Sequence, residues 1–551
     1  MPTGHRYLAE ALANCGIRHF FHMPLVLPDA IKEMQAIGVQ PIVAHSEKAA
    51  AYMADGYARA AGRLGVCACQ AIGAANLAAG VLDAFMAHSP VLALSGGGTA
   101  TTRDRNNYQE IDQRPIWSGL TKMSARVENA ARLPDLLGQA IRIATSGSPG
   151  PVHLELGGFT GGVLGGEVGD TPLPDPRFST YPYVRIPASE ESIRNATQLI
   201  AEAKRPVVVA GSGIRASGAA DVLAKFVRRL NLPLAASLDA KSVLPDDDQL
   251  SAGVVGTYSR DSANRIVSDA DLVIFVGTTT GSMVTAGWTV PKVGVLAIQI
   301  DIDPRELGRN YPLICAVPGD PSTVLQQLME AKSVLPDRSA WLAEVAKVKA
   351  EWRQEAATVE ETDAQPLRPE RLGRLLSQVL PENAVLVVDT GHIAGWTARH
   401  VYLQQGQRLL RPAGSMGWAF PASIGTKCAE PDRPVVCFTG DGGFLYHLAE
   451  IETALRYRIP VVTVISNNNG YSQERPIWSS SSDYDHNWRF APVSYSDLAR
   501  SFGCRSWLVE KGDDFERAFG EALTAEGPAI IEVMTDENVT LAPPWVPTAA
   551  A

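Results

Sequence analysis

Two polar side chains far apart in the chain, Asp441 and Asn468, are of the types that grip a small hard cation. Asp441 offers a carboxylate oxygen and Asn468 a neutral amide oxygen, and the main-chain carbonyl at Gly470 adds a third donor. One carboxylate with neutral oxygens suits Mg²⁺, which takes a few protein ligands and completes its shell with phosphate and water. Asp441 lies within Gly440-Asp441-Gly442-Gly443. Glycines allow main-chain N–H groups to come close to a phosphate, and a helix N-terminus favours an anion in front of it. The residue types point to a diphosphate held through Mg²⁺.

The flanking segments explain how the two side chains meet. Pro434 to Phe438 is a short β-branched run that reads as a buried strand. Gly440 to Gly443 reads as a tight loop. Leu445, Leu448, Ile451 and Leu455 have the spacing of one helical face, which predicts a helix from Leu445 to Arg458. Pro460 to Ser466 is a second strand, ending at Asn467-Asn468-Asn469-Gly470. Such a unit has parallel strands and a right-handed crossover. Both strands then finish on one edge of the sheet, where open α/β sheets bind ligands.

This constellation resembles the thiamine-diphosphate (ThDP) motif of the acetolactate synthase and pyruvate decarboxylase superfamily. The resemblance implies that Asp441, Asn468 and the Gly470 carbonyl hold Mg²⁺, with Gly440, Gly442, Gly443 and Tyr471 around the cofactor. It extends along nearly the whole chain. The segment from His45 to Ala60, rich in alanine, is predicted as a helix with Glu47 in its first turn. A carboxylate there is a favourable dipole partner in its own right. The segment is similar to the superfamily's pyrimidine-binding helix. That likeness makes Glu47 the residue that hydrogen-bonds the aminopyrimidine N1′ and promotes loss of the thiazolium C2 proton. An apolar, alanine-lined setting would raise the pKa of such a carboxyl.

Other stretches carry the likeness further. Gln70-Ala71-Ile72-Gly73-Ala74-Ala75-Asn76 stands where relatives have Gly-Pro-Gly-Ala, with Gly73 and Asn76 as expected cofactor contacts. Gln109, within Tyr108-Gln109-Glu110, matches a glutamine that faces the active site in acetolactate synthases. Thr390-Gly391-His392 matches a loop whose backbone meets the diphosphate, and His392 can add a charge or a hydrogen bond. Ala413 to Pro421 resembles a Gly-Thr-Met-Gly segment, which makes Gly414 a contact and Met416 the apolar wedge between the cofactor rings. Bending the cofactor over such a wedge is a proximity device. Glu474 sits at the offset of a glutamate that handles protons in pyruvate and indolepyruvate decarboxylases, and Trp478 lies close to the position of a substrate-facing tryptophan of the synthases.

The departures are as informative. Where relatives read Phe-Gly-x-Pro-Gly, this chain has Phe21-His22-Met23-Pro24-Leu25. His22 would put a proton donor into space a glycine leaves open; strand alternation puts His19 on the opposite face. The decarboxylases' aspartate is Val26 here, and their consecutive histidine pair is missing. These absences argue against a pyruvate decarboxylase proper, while His22 favours cleavage of a diketone or acyloin.

The expected fold is α/β, three consecutive doubly wound parallel-sheet domains: pyrimidine-binding (1–160), middle (191–335) and diphosphate-binding (369–551). A linker (161–190) and a helical connection (336–368) join them. In the middle unit, Gly211-Ser212-Gly213 is a weak nucleotide-loop signal. Thr278-Thr279-Thr280-Gly281-Ser282-Met283 replaces the arginine- and aspartate-bearing loop of FAD-binding synthases, so FAD is not expected.

The chain has 551 residues, 46% hydrophobic and 20% charged, with a net charge of −10, which leaves no basic footprint for nucleic acid. No apolar run approaches the roughly 18 residues of a membrane span, and Met1 to Glu10 lacks a secretion-signal core. Seven scattered cysteines suit reduced thiols in a cytoplasmic compartment. The family implies active sites between subunits, hence a homodimer or homotetramer. The leading expectation is a 2-oxo-acid decarboxylase or carboligase using ThDP and Mg²⁺ on a 2-oxo acid, ketone or related carbonyl. The alternatives are a ThDP lyase or hydrolase acting without loss of CO₂, and a non-catalytic partner protein.

Overall fold

Short apolar runs each become one strand, and in the computed structural model these strands gather into three six-stranded sheets. The structure describes residues 1–332, 334 and 336–547; the expected limits at 335 and 551 lie outside the described residues. The first sheet holds β1 (His19–His22), β2 (Gln40–Val43), β3 (Gly65–Cys69), β4 (Val91–Gly97), β5 (Met123–Val127) and β6 (Val152–Gly157). The second holds β7 (Pro206–Ala210), β8 (Leu234–Ala236), β9 (Ser251–Val254), β10 (Leu272–Val276), β11 (Leu296–Asp301) and β12 (Cys315–Pro318). The third holds β13 (Val385–Val388), β14 (Arg408–Leu410), β15 (Val435–Gly440), β16 (Val462–Asn467), β17 (Arg505–Val509) and β18 (Ala529–Met534). Every ladder between neighbouring strands is parallel.

Alternate strand residues feed different cores. Phe21, Cys67 and Ala93 face one side of the first sheet, and Phe20, Val66 and Leu92 the other. Val387 and Cys437 likewise oppose Leu386 and Val436 in the third. A parallel sheet covered by helices on both faces needs this two-sided burial, so the doubly wound architecture follows from near-continuous apolar strands.

The first and third sheets repeat one order, β2-β1-β3-β4-β6-β5 and β14-β13-β15-β16-β18-β17. In each, the chain turns in opposite directions from the second strand of the row. The crevices for ligands therefore lie beyond the carboxyl ends of β1 and β3, and of β13 and β15. The middle sheet, β12-β11-β10-β7-β8-β9, reverses between β7 and β10.

Small residues bring the outer two units together. The Glu47–Ala61 helix crosses the Ala419–Ala429 helix, and both are buried along most of their length. A methyl group on Gly56 would run into the Ala422 carbonyl, and one on Gly425 into the Met53 carbonyl. Beside this crossing, Arg59 donates to Asp55 at 2.8 Å and to Asp83 at 3.0 Å, and Trp418 Nε1 donates to Asp55 at 2.8 Å. Gly425→Ala is expected to destabilise the chain by about 3 kcal/mol, because helix backbone cannot yield as a side chain does. Urea unfolding checks this.

The Leu445–Arg458 helix expected from periodicity is two shorter helices, Asp441–Leu445 and Glu450–Arg456. Between them the bonds tighten to i→i+3, as from Tyr446 N to Gly443 O at 3.3 Å and from His447 N to Phe444 O at 3.2 Å. The glycine segment is correspondingly no loop: the helix begins at Asp441 itself, capped by Gly440.

Candidate functional site

β15 and β16 pair with Gly440 opposite Ser466, so Asp441 and Asn468 leave the sheet side by side. The Asp441 carboxylate is buried and accepts three main-chain N–H groups: Gly442 at 2.7 Å, Gly470 at 3.0 Å and Asn468 at 3.3 Å. Asn468 thus reaches Asp441 first through its backbone N–H, whereas the sequence pattern suggests two converging side-chain oxygens. The Gly470 carbonyl already accepts from Ser472 N at 2.9 Å, leaving its second lone pair. Burial pushes the Asp441 carboxyl up to about 6.

Asp441 lines a cavity of about 410 Å³. Gly391, His392, Gly414, Met416, Gly440, Gly442, Gly443, Asn468, Gly470, Tyr471 and Glu474, all anticipated from sequence, share its wall. Each small residue has a local reason. Gly391 has φ +75, a conformation that favours glycine. A methyl group on Gly442 would stand 2.6 Å from the Tyr471 ring, and one on Gly443 2.9 Å from the Asp389 carboxylate. Nothing lies within 4 Å of where a Gly414 side chain would be, so that face is open to the cavity.

His392 is driven down to about 4 by burial, so its ring is neutral and offers a hydrogen bond, not a charge. Its Nδ1 lies 3.2 Å from Ser472 Oγ. Glu474 is exposed at the cavity rim, and Trp478 packs towards Tyr484 with ring centroids 6.2 Å apart. Among the described residues no group of three or more His, Cys, Asp or Glu side chains could hold a metal. A buried carboxylate without a cationic side chain beside it, facing a cavity with neutral oxygens nearby, fits Mg²⁺ bound through few protein ligands.

Asp389 was missed as a site residue. It directly follows β13, is buried, and accepts from Gly417 N at 3.1 Å and Thr439 Oγ1 at 3.2 Å. Its carboxyl is pushed up to about 6 by burial. It anchors the turn that carries Met416. The signal available in sequence was a lone aspartate at the end of an apolar strand. Tyr258, which reaches the same wall from the middle unit, had no sequence signal at all.

Glu47 belongs to a second cluster. Ser46 caps its helix by accepting from Ala49 N at 3.1 Å, so the Glu47 carboxylate is not needed as the cap. It accepts instead from Asn76 Nδ2 at 2.7 Å. Gly73 makes room for it, since a methyl group there would lie 2.6 Å from Glu47 Oε1. Gln109 joins this group: its Oε1 accepts from Ile72 N at 3.2 Å, and its Nε2 donates to Gln70 Oε1 at 2.9 Å. Gln70 in turn donates to the Pro24 carbonyl at 3.1 Å.

His22 is not part of that cluster. It ends β1 almost fully buried against Phe20, ring centroids 5.5 Å apart, with Nδ1 2.8 Å from the Met23 carbonyl. Burial lowers its pKa, so the ring is neutral. His19 packs on the other face, beside Phe21 and Tyr57.

The two clusters do not meet within one chain. The cavity that Asp441 lines is walled by the third unit and Tyr258, with no residue of the first unit. In the middle unit, Gly211 and Gly213 are explained by packing, because methyl groups on them would strike the backbone of Gly277. A cleft beside them is lined by Asp301, Asp303, Glu306 and Asp320. Beyond β18 the chain packs against the other units as far as Trp545: Leu541 abuts Gly395, and the Trp545 carbonyl accepts from Asn264 at 2.8 Å.

Comparison with known proteins agrees with this layout. The chain matches family models described as thiamine pyrophosphate enzyme, N-terminal TPP binding domain over residues 2–116, central domain over 193–328, and C-terminal TPP binding domain over 389–533. It is 30% identical to a probable acetolactate synthase large subunit of Methanocaldococcus jannaschii, covering 98% of this chain and 93% of that protein. It is 26% identical to the acetolactate synthase large subunit of Lactococcus lactis, over 98% and 94% of the two chains. The figure for the isozyme 1 large subunit of Escherichia coli is 28%, over 100% and 96%. With a domain model matched on each of the three sheets and full-length similarity to these synthases, the chain belongs to the thiamine-pyrophosphate-dependent enzymes, in their acetolactate-synthase-like group.

Proposed function

We propose that this enzyme uses ThDP and Mg²⁺ to break and make C–C bonds next to a carbonyl, as a 2-oxo-acid decarboxylase and carboligase. The observation that supports it most is the pair of complementary half-sites. One is a buried carboxylate with glycines and neutral oxygens, able to hold a metal diphosphate. The other is a helix-borne carboxylate, Glu47, steadied by Asn76 and fitted against Gly73. When bound, ThDP supplies an electron sink for the carbanion left by C–C cleavage. In this reading Asp441 and Asn468 orient the metal, Met416 presses on the cofactor, and Glu47 holds the proton exchanged with its pyrimidine. Gln109 and Glu474 flank the substrate from opposite half-sites.

The reading requires a second copy. Glu47 of one chain and Asp441 of the other would complete each site, giving a homodimer or a homotetramer made of two such dimers. The Ala74–Met86 helix, next to Glu47, carries exposed Leu82, Phe85 and Met86, and Ile72 just before it is 62% exposed. Monomers rarely leave so contiguous an apolar face uncovered. The neutral, core-packed His22 weakens the case for cleavage of a diketone or acyloin. The middle unit is read as structural and free of flavin, since carboxylates line its cleft. No helix among the described residues is long and apolar enough to cross a membrane. The seven cysteines, all unbridged, fit a reducing cytoplasmic location.

The test is a panel of 2-oxo acids, diketones and acyloins with ThDP and Mg²⁺, following CO₂ and carbon products together. CO₂ release with formation of an acyloin or 2-hydroxy-2-acyl acid is expected. C–C cleavage without CO₂ would overturn the reading.

A further inference from the structure

Two leucines after β1 adopt left-handed backbone, Leu25 at φ 62 and Leu27 at φ 48. This conformation costs a side chain with a Cβ, and a leucine held in it calls for a reason. Leu27 has one: it is fully buried in the core of the first unit, donates to the Thr160 carbonyl at 3.0 Å and caps the following helix. Leu25 has none within the chain, for it is 63% exposed. A strained residue with no burial to offset the strain points to something outside the chain that covers it.

Its location says what. Leu25 follows the carboxyl end of β1, at the reversal of strand order where the first sheet forms its crevice. Hydrogen bonds run without a gap from its neighbour to the Glu47 cluster: Pro24 O to Gln70, Gln70 to Gln109, Gln109 to Ile72 N. Ile72 adjoins Gly73, on which the Glu47 carboxylate rests. Leu25 and Ile72 are thus exposed branched aliphatics on either side of an uncharged amide relay, opening towards the half-site that a second copy completes. A wall of this chemistry accepts an alkyl chain and carries no charge to pair with a second carboxylate or a phosphate.

We propose that Leu25 is a specificity-determining residue, its side chain closing the space beside the substrate's alkyl group and limiting the length of 2-oxo acid accepted. This rests on the reading of the enzyme given under Proposed function. The test compares kcat/KM for pyruvate, 2-oxobutanoate and 2-oxohexanoate in wild type, Leu25→Gly and Leu25→Phe, with ThDP affinity measured calorimetrically for each. Leu25→Gly, which relaxes the left-handed backbone, is expected to fold at least as stably and to shift the long-to-short preference by about tenfold towards the long acid. Leu25→Phe should shift it the other way. The proposal is overturned if both variants bind ThDP like wild type and turn over 2-oxo acids, yet keep the wild-type preference within about twofold. Failure of the wild-type protein itself to take up ThDP, or to act on any 2-oxo acid, would instead bring down the functional reading, and this proposal with it.

Discussion

Glu47→Gln is expected to lower turnover by about 10²–10⁴-fold, the usual contribution of a positioned acid–base group. The fold should survive, because Ser46 and not Glu47 caps the helix, and the amide introduced by the substitution keeps an oxygen for Asn76. ThDP and Mg²⁺ should still bind, since Asp441, Asn468 and the glycine-lined cavity lie elsewhere in the chain. The discriminating measurement is therefore turnover set against calorimetric cofactor affinity and the thermal midpoint. A non-catalytic partner protein would show no turnover for the substitution to remove. Subunit exchange sharpens the result. Glu47→Gln and Asp441→Ala are each inactive as homodimers, but a mixed dimer has one site carrying both wild-type residues. Random pairing should restore about a quarter of wild-type turnover. No recovery would mean that both half-sites serve the same chain.

Asp441→Asn carries the second large effect, with opposite signs for stability and for binding. Burial holds the folded Asp441 carboxyl at about 6, above its ordinary value of 3.8. A carboxyl raised in the folded state binds more protons folded than unfolded between those two values. Cofactor-free protein should accordingly lose stability as pH rises from about 4 to about 6, and carry the whole penalty at neutral pH. Asparagine has no charge to bury, which is worth about 3 kcal/mol at pH 7. A main-chain N–H left facing its NH₂ returns about 1–2 kcal/mol of that. The cofactor-free variant should therefore be about 1–2 kcal/mol more stable than wild type, with this limb of the pH profile gone. The same substitution removes the anionic ligand, and Mg²⁺-dependent ThDP uptake should fall to background. In wild type that uptake should weaken below about pH 6, as the carboxyl protonates, because metals bind the deprotonated ligand. Urea unfolding without cofactor and calorimetry with it, both across pH, read the two halves. An Asp441→Asn protein that binds ThDP and Mg²⁺ normally would contradict the assignment of the metal ligand.

Some elements were hidden from periodicity for identifiable reasons. The edge strand β17, Arg505–Val509, is exposed or half-buried until its last residue and carries arginine, serine and tryptophan, so it lacks the apolar run of its neighbours. β14 has three residues and no room for a pattern. The apolar positions Leu445 to Leu455 do lie on one side, as the spacing implied. The backbone nevertheless tightens between Tyr446 and Ala449, where the Tyr446 ring lies against Lys48 of the first unit, 5.3 Å from its ammonium. Helical spacing reports which residues seek the core and does not report where the backbone between them tightens.

The three α/β units, most of their strands, and the residue types that suggest a metal diphosphate and an acidic proton carrier were legible in the chain. These are local properties: β-branched runs, helical spacing, glycines beside an aspartate, a glutamate opening an alanine-rich helix. Which residues meet was left to packing. Packing withdrew His22 into a core, because the same strand register that places it at the sheet edge turns its ring towards Phe20. It brought Tyr258 from the middle unit to a wall it shares with Asp389, and nothing around Tyr258 in the sequence announced it. It kept the residues of the first unit, Glu47 among them, off the wall of the cavity that Asp441 lines. Contacts between residues hundreds of positions apart depend on how whole units pack, and no local pattern carries that information.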